Sequence, residues 1–497
     1  MPGIGEPPLQ PCRTVPGLLA WRRARNPSDV AIEVAGVDTL TFTQWDDAAT
    51  AVAAALRAKG LAPGAPVGLV FAGRDWTSFA VAYCGVQRAG AVAVPLPDQL
   101  PPARLSQLLA GCGADLVING RGDVDALVET GMPDADRLAA ADPLDAARPG
   151  EIAQILFTSG TSGQPKAVAA THANLTDGAL IHPKRLALAH SRRFLHAFPI
   201  GTNAAQTMLV NALTARPSAL TLPRFTPRRF AARLPEVGTV FLVPATAIEL
   251  LESGALDGVD LSGVHLVGST AAPLPPAVAL RLNQAFPNAA IVNHYTSTEA
   301  APAHTNMVFD PARPDAVGRV TTGAVRITDA DGGPVPDGEV GHVWLRSPHA
   351  RRYLGDETAT RDTFRDGWVR MGDLGRLRDG FLFLSDRDSD VVKSGAYKIS
   401  TLEVEAALHE HPGVAAAAVV GVPHPVLGAR LAAVIVPRPD AADVGLPGIR
   451  AFLAERLADH QLPGDLLVLD QLPRNDAGKV LKRQLVGLFP AGTGGDA

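Results

Sequence analysis

Between residues 66 and 292 the chain alternates, with short turns, between brief apolar runs and longer segments of helical apolar period. A helix between successive strands carries the chain back to the starting edge, so the strands it joins run parallel and need helices on their faces. Residues 66–72, 91–95, 115–118, 194–198, 219–222, 239–243, 264–268 and 290–292 read as strands. Residues 76–89, 102–110, 206–213, 227–234, 245–251 and 275–286 read as the intervening helices. At 497 residues the chain exceeds what one compact core usually organises, so at least two domains are expected.

Ahead of this region a helix is expected near Val15–Arg25 and a strand end over 40–45, where Thr43 and Asp46 read as a capping box. From 318 to 346 the pattern changes to short alternating strands with turns at 331–333 and 337–338, which predicts a small antiparallel sheet or barrel. After Asp386 a compact α/β unit follows: helix 401–411, strands 414–420 and 431–436, helix 447–458 and a basic tail. The polar, Asp- and Pro-rich stretch 121–150 reads as a surface connection.

That connection leads to the segment ILFTSGTSGQPKAVAATHAN. A buried strand empties into Thr158, Ser159, Gly160, Thr161, Ser162 and Gly163, followed by Pro165 and Lys166. Small, hydroxyl-rich and glycine-rich, such a loop can turn backbone N–H groups toward one anion while a lysine adds charge. No Gly-Lys-Ser/Thr closes it, so the spacing excludes a Walker loop. Further along stand His294-Tyr295-Thr296-Ser297-Thr298-Glu299, Trp368-Val369-Arg370-Met371-Gly372-Asp373 and Asp386-Arg387-Asp388-Ser389-Asp390. Lys393-Ser394-Gly395-Ala396-Tyr397-Lys398 and Pro473-Arg474-Asn475-Asp476-Ala477-Gly478-Lys479 complete the set. The first of these follows a predicted parallel strand, where open sheets place their ligands.

These five segments and the loop, in this order, resemble the motifs of the adenylate-forming superfamily, and of its acyl-CoA synthetases in particular. The chain departs from the family pattern at Ala167 and Thr296, where the family has Gly, at Met371, where it has Thr, at Ser389, where the hinge is usually Asp or Lys, and at Ala396, in place of a second Gly. The resemblance implies an α/β fold with a large N-terminal domain of two helix-covered, mostly parallel sheets plus a barrel-like subdomain, residues 1–386. A small mobile domain, 387–497, would turn on a hinge near Ser389. It implies an acid–thiol ligase using ATP, Mg²⁺ and coenzyme A. Residues 158–163 and Lys166 would cradle phosphates, with Tyr295, Thr296, Asp373 and Arg387 also on the nucleotide. Thr298 would meet the α-phosphate, Glu299 the metal, and Lys479 the reacting centre, with His196 also in the catalytic group. Ser394, Gly395, Ala396 and Lys398 would lie on the coenzyme A side. The acyl pocket would be formed by Phe198, Gly201, Thr202, Ala204, Ala205, Thr270, Ala271 and Ala272, and the small size of Gly201, Ala204, Ala205, Ala271, Ala272 and Thr296 suggests a bulky or long apolar acid. No acidic residue stands in 198–206 to pair a substrate ammonium, which disfavours amino acids.

A free-standing ligase that loads a carrier protein shares all these motifs, and a non-catalytic nucleotide- or acyl-binding protein is a rival of another class. The formal net charge of −5 and the lack of a Lys/Arg block argue against nucleic acid as a partner. Cys12, Cys84 and Cys112 are too few and too scattered for a disulfide framework, which points to the cytoplasm. Neither a signal peptide nor a membrane-spanning apolar run is read from the sequence.

Overall fold

The computed structural model describes residues 12–120, 147–159, 165–177, 191–214, 218–347, 349, 351–439, 441, 444–475 and 477–489. The chain divides into two compact units, Met1–Arg224 with Ser347–Gly367, and Phe225–Arg346 with Trp368–Ala497.

In the first unit a six-stranded sheet runs in the order Arg352–Tyr353, Pro165–Thr171, Ile152–Ser159, Val92–Pro97, Pro66–Phe71, Leu116–Asn119. The last four are parallel neighbours, with helices Trp76–Arg88 and Pro102–Cys112 as two of the crossovers, and the first three pair antiparallel. Helix Trp76–Arg88 is apolar almost all round and correspondingly buried, with Phe79, Tyr83 and Val86 at 0% exposure. A second group joins Arg193–His196, Ser218–Thr221 and Val30–Val34 in parallel, with Asp38–Thr41 closing a hairpin.

The start of helix Phe42–Ala58 corrects the expected cap. The strand ends at Thr41, whose extended backbone makes it the N-cap: its hydroxyl accepts from Gln44 N while Gln44 Oε1 accepts from Thr41 N. Thr43 and Asp46 lie inside the helix, and Asp46 instead pairs with Arg23 and Arg88.

In the second unit, Thr239–Leu242, Leu266–Ser269 and Ala290–Tyr295 are parallel. Strand direction then changes, and Thr305–Val308, Ala316–Arg319, Phe381–Arg387, Trp368–Arg378, Gly341–Arg346 and Val325–Thr328 follow antiparallel. The strand expected to stop at Val292 continues to Tyr295 because Thr305–Val308 pairs along it, with Tyr295 opposite Thr305. The chain beyond 387 adds a separate small sheet, ordered Tyr397–Ile399, Val392–Ser394, Gly428–Pro437, Val414–His424, with Asp465–Val468 beside Gly428–Pro437. Helices Thr401–His409 and Leu446–Ala454 cover it, burying Val404, Leu408, Val419, Ile435, Ile449 and Leu453.

This small lobe is tied to helices Pro244–Glu252 and Pro276–Ala285 through one carboxylate: Glu252 accepts from Arg281 Nη1 at 2.5 Å and from Arg438 Nε at 3.3 Å. Among the described residues no helix is long and apolar enough to cross a membrane.

Candidate active site

Asp373 and Arg387 face each other across the antiparallel strands Trp368–Arg378 and Phe381–Arg387. Arg387 Nε lies 3.4 Å from Asp373 Oδ1, and Tyr295 Oη donates to Asp373 Oδ2 at 2.6 Å. Burial pushes the Asp373 carboxyl above the usual carboxylate range, while Arg387, the Tyr295 hydrogen bond and Lys479 pull it back.

Lys479 stands in a tight turn and acts on this group through its charge. Asn475 N donates to Lys479 O and Lys479 N donates to Asn475 Oδ1, both at 2.9 Å. Gly478 adopts φ +80°, and a Cβ there would stand 2.8 Å from Val243 Cγ2, so only glycine lets this turn seat against the start of helix Pro244–Glu252. Burial and Arg387 bring the Lys479 pKa down to about 8 against the attraction of Asp390 and Asp373. One turn on, Lys482 Nζ donates to Glu405 Oε1 at 2.8 Å and to Thr401 Oγ1 at 2.7 Å. Asp386 accepts from both Thr401 N and Thr401 Oγ1. Ser389 Oγ donates to Asp390 Oδ1 at 2.8 Å.

Thr298 and Glu299 sit partly exposed in the turn after Tyr295. The departures beside them are accommodated locally. Thr296 Oγ1 donates to Ala303 O at 2.7 Å, closing the turn, and buried Met371 presents its sulfur to Ser297 Oγ at 3.9 Å. One position earlier, His294 Nδ1 is 2.6 Å from Asn306 Oδ1, and burial lowers its pKa to about 4, so the ring is neutral.

In the first unit Gly160, Thr161, Ser162 and Gly163 lie outside the described residues, as does the Ser159 side chain. The strands flanking them put Thr158 opposite Lys166. Ala167 points into the core with Ile155 and Ala169, so its methyl adds to packing where the superfamily has Gly. Lys166 Nζ stands over the ring of Tyr353, 4.7 Å from its centroid, a contact no sequence motif signalled. His172 and Asn174 are buried fastenings: His172 Nδ1 accepts from Val15 N, and Asn174 bonds Arg351 and His349 O.

His196 is fully buried among Trp76, Phe194 and Phe198, its Nδ1 accepting from Phe198 N and its pKa lowered by burial to about 3. An imidazole enclosed in this way has no surface to offer a reactant, so the structure gives it a packing position. The expected acyl residues divide similarly. Gly201 lacks a side chain because a Cβ would meet Pro97 at 2.7 Å, Ala205 is core at 0% exposure, Phe198 is buried, and Thr202 Oγ1 caps helix Asn203–Thr214 through Ala205 N. Ala204, Thr270, Ala271 and Ala272 retain exposed surface.

Ser394 and Tyr397 pair across the two-residue turn Gly395-Ala396, in which Gly395 has φ +58° and Ala396 does not require a positive φ. Lys398 is exposed on that hairpin.

Residues 19–354 match the family of AMP-binding enzymes, and residues 403–479 match the AMP-binding enzyme C-terminal domain. The chain belongs to the AMP-binding enzymes. It is 31% identical to the feruloyl-CoA synthase of an Amycolatopsis species, over 94% of this chain and 98% of that protein. It is 30% identical to the sulfoacetate–CoA ligase of Cupriavidus necator, over 95% and 97%. Among solved structures, ATP-bound MatB from Rhodopseudomonas palustris superposes with a TM-score of 0.84 at 26% identity, covering 95% of this chain and 98% of that one. The benzoate CoA ligase from Burkholderia xenovorans gives 0.83 at 27%, over 94% and 98%. Within the AMP-binding enzymes the chain is an AMP-forming acyl-CoA synthetase of the adenylate-forming superfamily, which activates a carboxylic acid as acyl-AMP and transfers it to coenzyme A.

Proposed function

We propose that Lys479, Asp373, Arg387, Thr298, Glu299 and Lys166 carry the two half-reactions of this synthetase. The observation that supports the assignment is the seating of the Gly478 turn on Val243, which brings Lys479 within the field of Asp373 and Arg387. Asp373, with Tyr295 and Arg387 fixing its carboxylate, accepts from the ribose hydroxyls. Lys166 meets the β- and γ-phosphates and Thr298 the α-phosphate. A carboxylate oxygen of the acid attacks the α-phosphorus and pyrophosphate leaves. The Lys479 ammonium offsets the negative charge that gathers on the phosphoryl oxygens, a contribution of about 3–4 kcal/mol for one preorganised donor. The coenzyme A thiolate then attacks the acyl carbonyl and AMP departs.

Glu299 would hold Mg²⁺, which when bound neutralises phosphate charge. A single carboxylate suits an ion that is carried mainly by substrate phosphates and water, and among the described residues no group of three or more His, Cys, Asp or Glu forms a protein-only metal site. The acid is bulky or long and apolar, a reading supported by the small, partly exposed side chains of Thr270, Ala271 and Ala272. The small domain is residues 387–497, turning near Ser389 between the half-reactions. The unpaired cysteines support a cytoplasmic location.

The test is Lys479→Ala. It abolishes acid-dependent ATP–pyrophosphate exchange and largely spares thiolysis of supplied acyl-adenylate by coenzyme A. Undiminished exchange would overturn the assignment, and a screen in which acetate outperforms every larger acid would overturn the substrate class.

A further inference from the structure

We propose that Tyr353 is a positioning residue for ATP, its ring face holding the Lys166 ammonium in place before the nucleotide arrives. The inference rests on the reading that Lys166 meets the β- and γ-phosphates.

Lysine is a poor candidate for preorganisation by itself, since its charge sits on a flexible four-carbon stem. In this chain an edge strand supplies what the stem lacks. Arg352–Tyr353 pairs antiparallel with Pro165–Thr171, setting Tyr353 opposite Val168, and Leu354 N donates to Ala167 O at 2.9 Å. That register sets the Tyr353 ring beside the Lys166 side chain, where Nζ lies 4.7 Å from the centroid. The ring itself is fixed. Tyr353 is 8% exposed, its backbone N–H donates to Thr360 Oγ1 at 3.0 Å, and Phe364 packs edge-on at 5.4 Å.

An aromatic face attracts an ammonium through its quadrupole without consuming a specific N–H donor. Lys166 can therefore keep the ring on one side and offer its three donors to phosphate oxygens on the other. A carboxylate in the same place would neutralise the charge and compete with the phosphates. The ring restrains the cation while leaving it available.

The experiment replaces Tyr353 with phenylalanine and with mono-, di- and trifluorinated phenylalanines, which preserve shape while progressively draining the ring quadrupole. Acid-dependent ATP–pyrophosphate exchange is the assay. KM for ATP rises stepwise with fluorine number, by roughly threefold to tenfold across the series, with kcat changed less than about twofold. Tyr353→Leu gives a rise of the same order, and circular dichroism melting reports whether each variant is folded. In a Lys166→Met background the fluorine series becomes flat. A series flat in the native background, where Lys166→Met raises KM for ATP, overturns the positioning role and leaves the phosphate role of Lys166 standing. No change in KM for ATP in Lys166→Met overturns both.

Discussion

The phenol of Tyr295 donates to the carboxylate of Asp373 at 2.6 Å, from the end of one strand to the middle of another. The carboxylate is buried and its other oxygen faces Arg387, so the hydroxyl both aims it and draws its pKa back down against burial. Tyr295→Phe removes a bond to a charged group, worth about 1.5–3 kcal/mol. KM for ATP should rise by roughly tenfold to hundredfold. The hydrogen bond holds the Asp373 pKa down, so its loss lets burial push the pKa higher. The acid limb of kcat/KM for ATP should therefore move to higher pH, as a pH–rate profile of exchange would show.

The role proposed for Lys479 needs its positive charge, and burial lowers its pKa to about 8. Below that pH it is ammonium, and above it the charge is lost. Because kcat/KM reports the free enzyme, exchange should fall on a basic limb centred near pH 8. Lys479→Arg, slower because its charge is carried differently, stays protonated and should lack that limb.

Gly478 is required twice, by φ +80° and by Val243. Gly478→Ala places a side chain in the left-handed region at a cost of about 1–2 kcal/mol and adds a clash with Val243. Exchange should drop at least about tenfold while thiolysis of supplied acyl-adenylate persists. Equal loss in both assays would mean that the turn has no selective part in the first step.

Lys482 is held charged against burial by Glu405, Asp386 and Asp390 together. Lys482→Met strands the Glu405 carboxylate and should destabilise the fold by on the order of 3 kcal/mol. Lys482→Met with Glu405→Gln should recover part of this, because the amide oxygen still accepts from Val419 N without needing a counter-charge, while Asp386 stays without its cation. Thermal unfolding of both variants decides it.

The course of the strands and helices was legible because turns and apolar periods are local. Helix Val15–Arg25 and the crossovers from 66 to 119 lie close to where the pattern put them. The cap at Thr41 was missed because two plausible hydroxyls stood two residues apart, and only the backbone angles at the strand end distinguish them. Tyr295, Asp373, Arg387 and Lys479 were legible as members of motifs, and the fold brings them together. Tyr353 and the Glu252–Arg438 contact were not, because each depends on segments far apart in sequence meeting in space.

Small residues were the misleading signal. Gly201 and Ala205 read as the walls of a wide pocket, yet Pro97 and helix packing account for their size. A missing side chain records only that something is close, whether substrate or protein. His196 misled in the same way, since a ring among aromatics has the same letter in sequence as a ring that meets a reactant.

In the hairpin at Gly395-Ala396 only the first residue carries a positive φ. An alanine in the second place forgoes nothing in the folded turn, yet it narrows the conformations open to the chain before folding. The methyl group at Ala396 therefore leaves this hairpin tip with less disorder to surrender on folding than a double glycine would have.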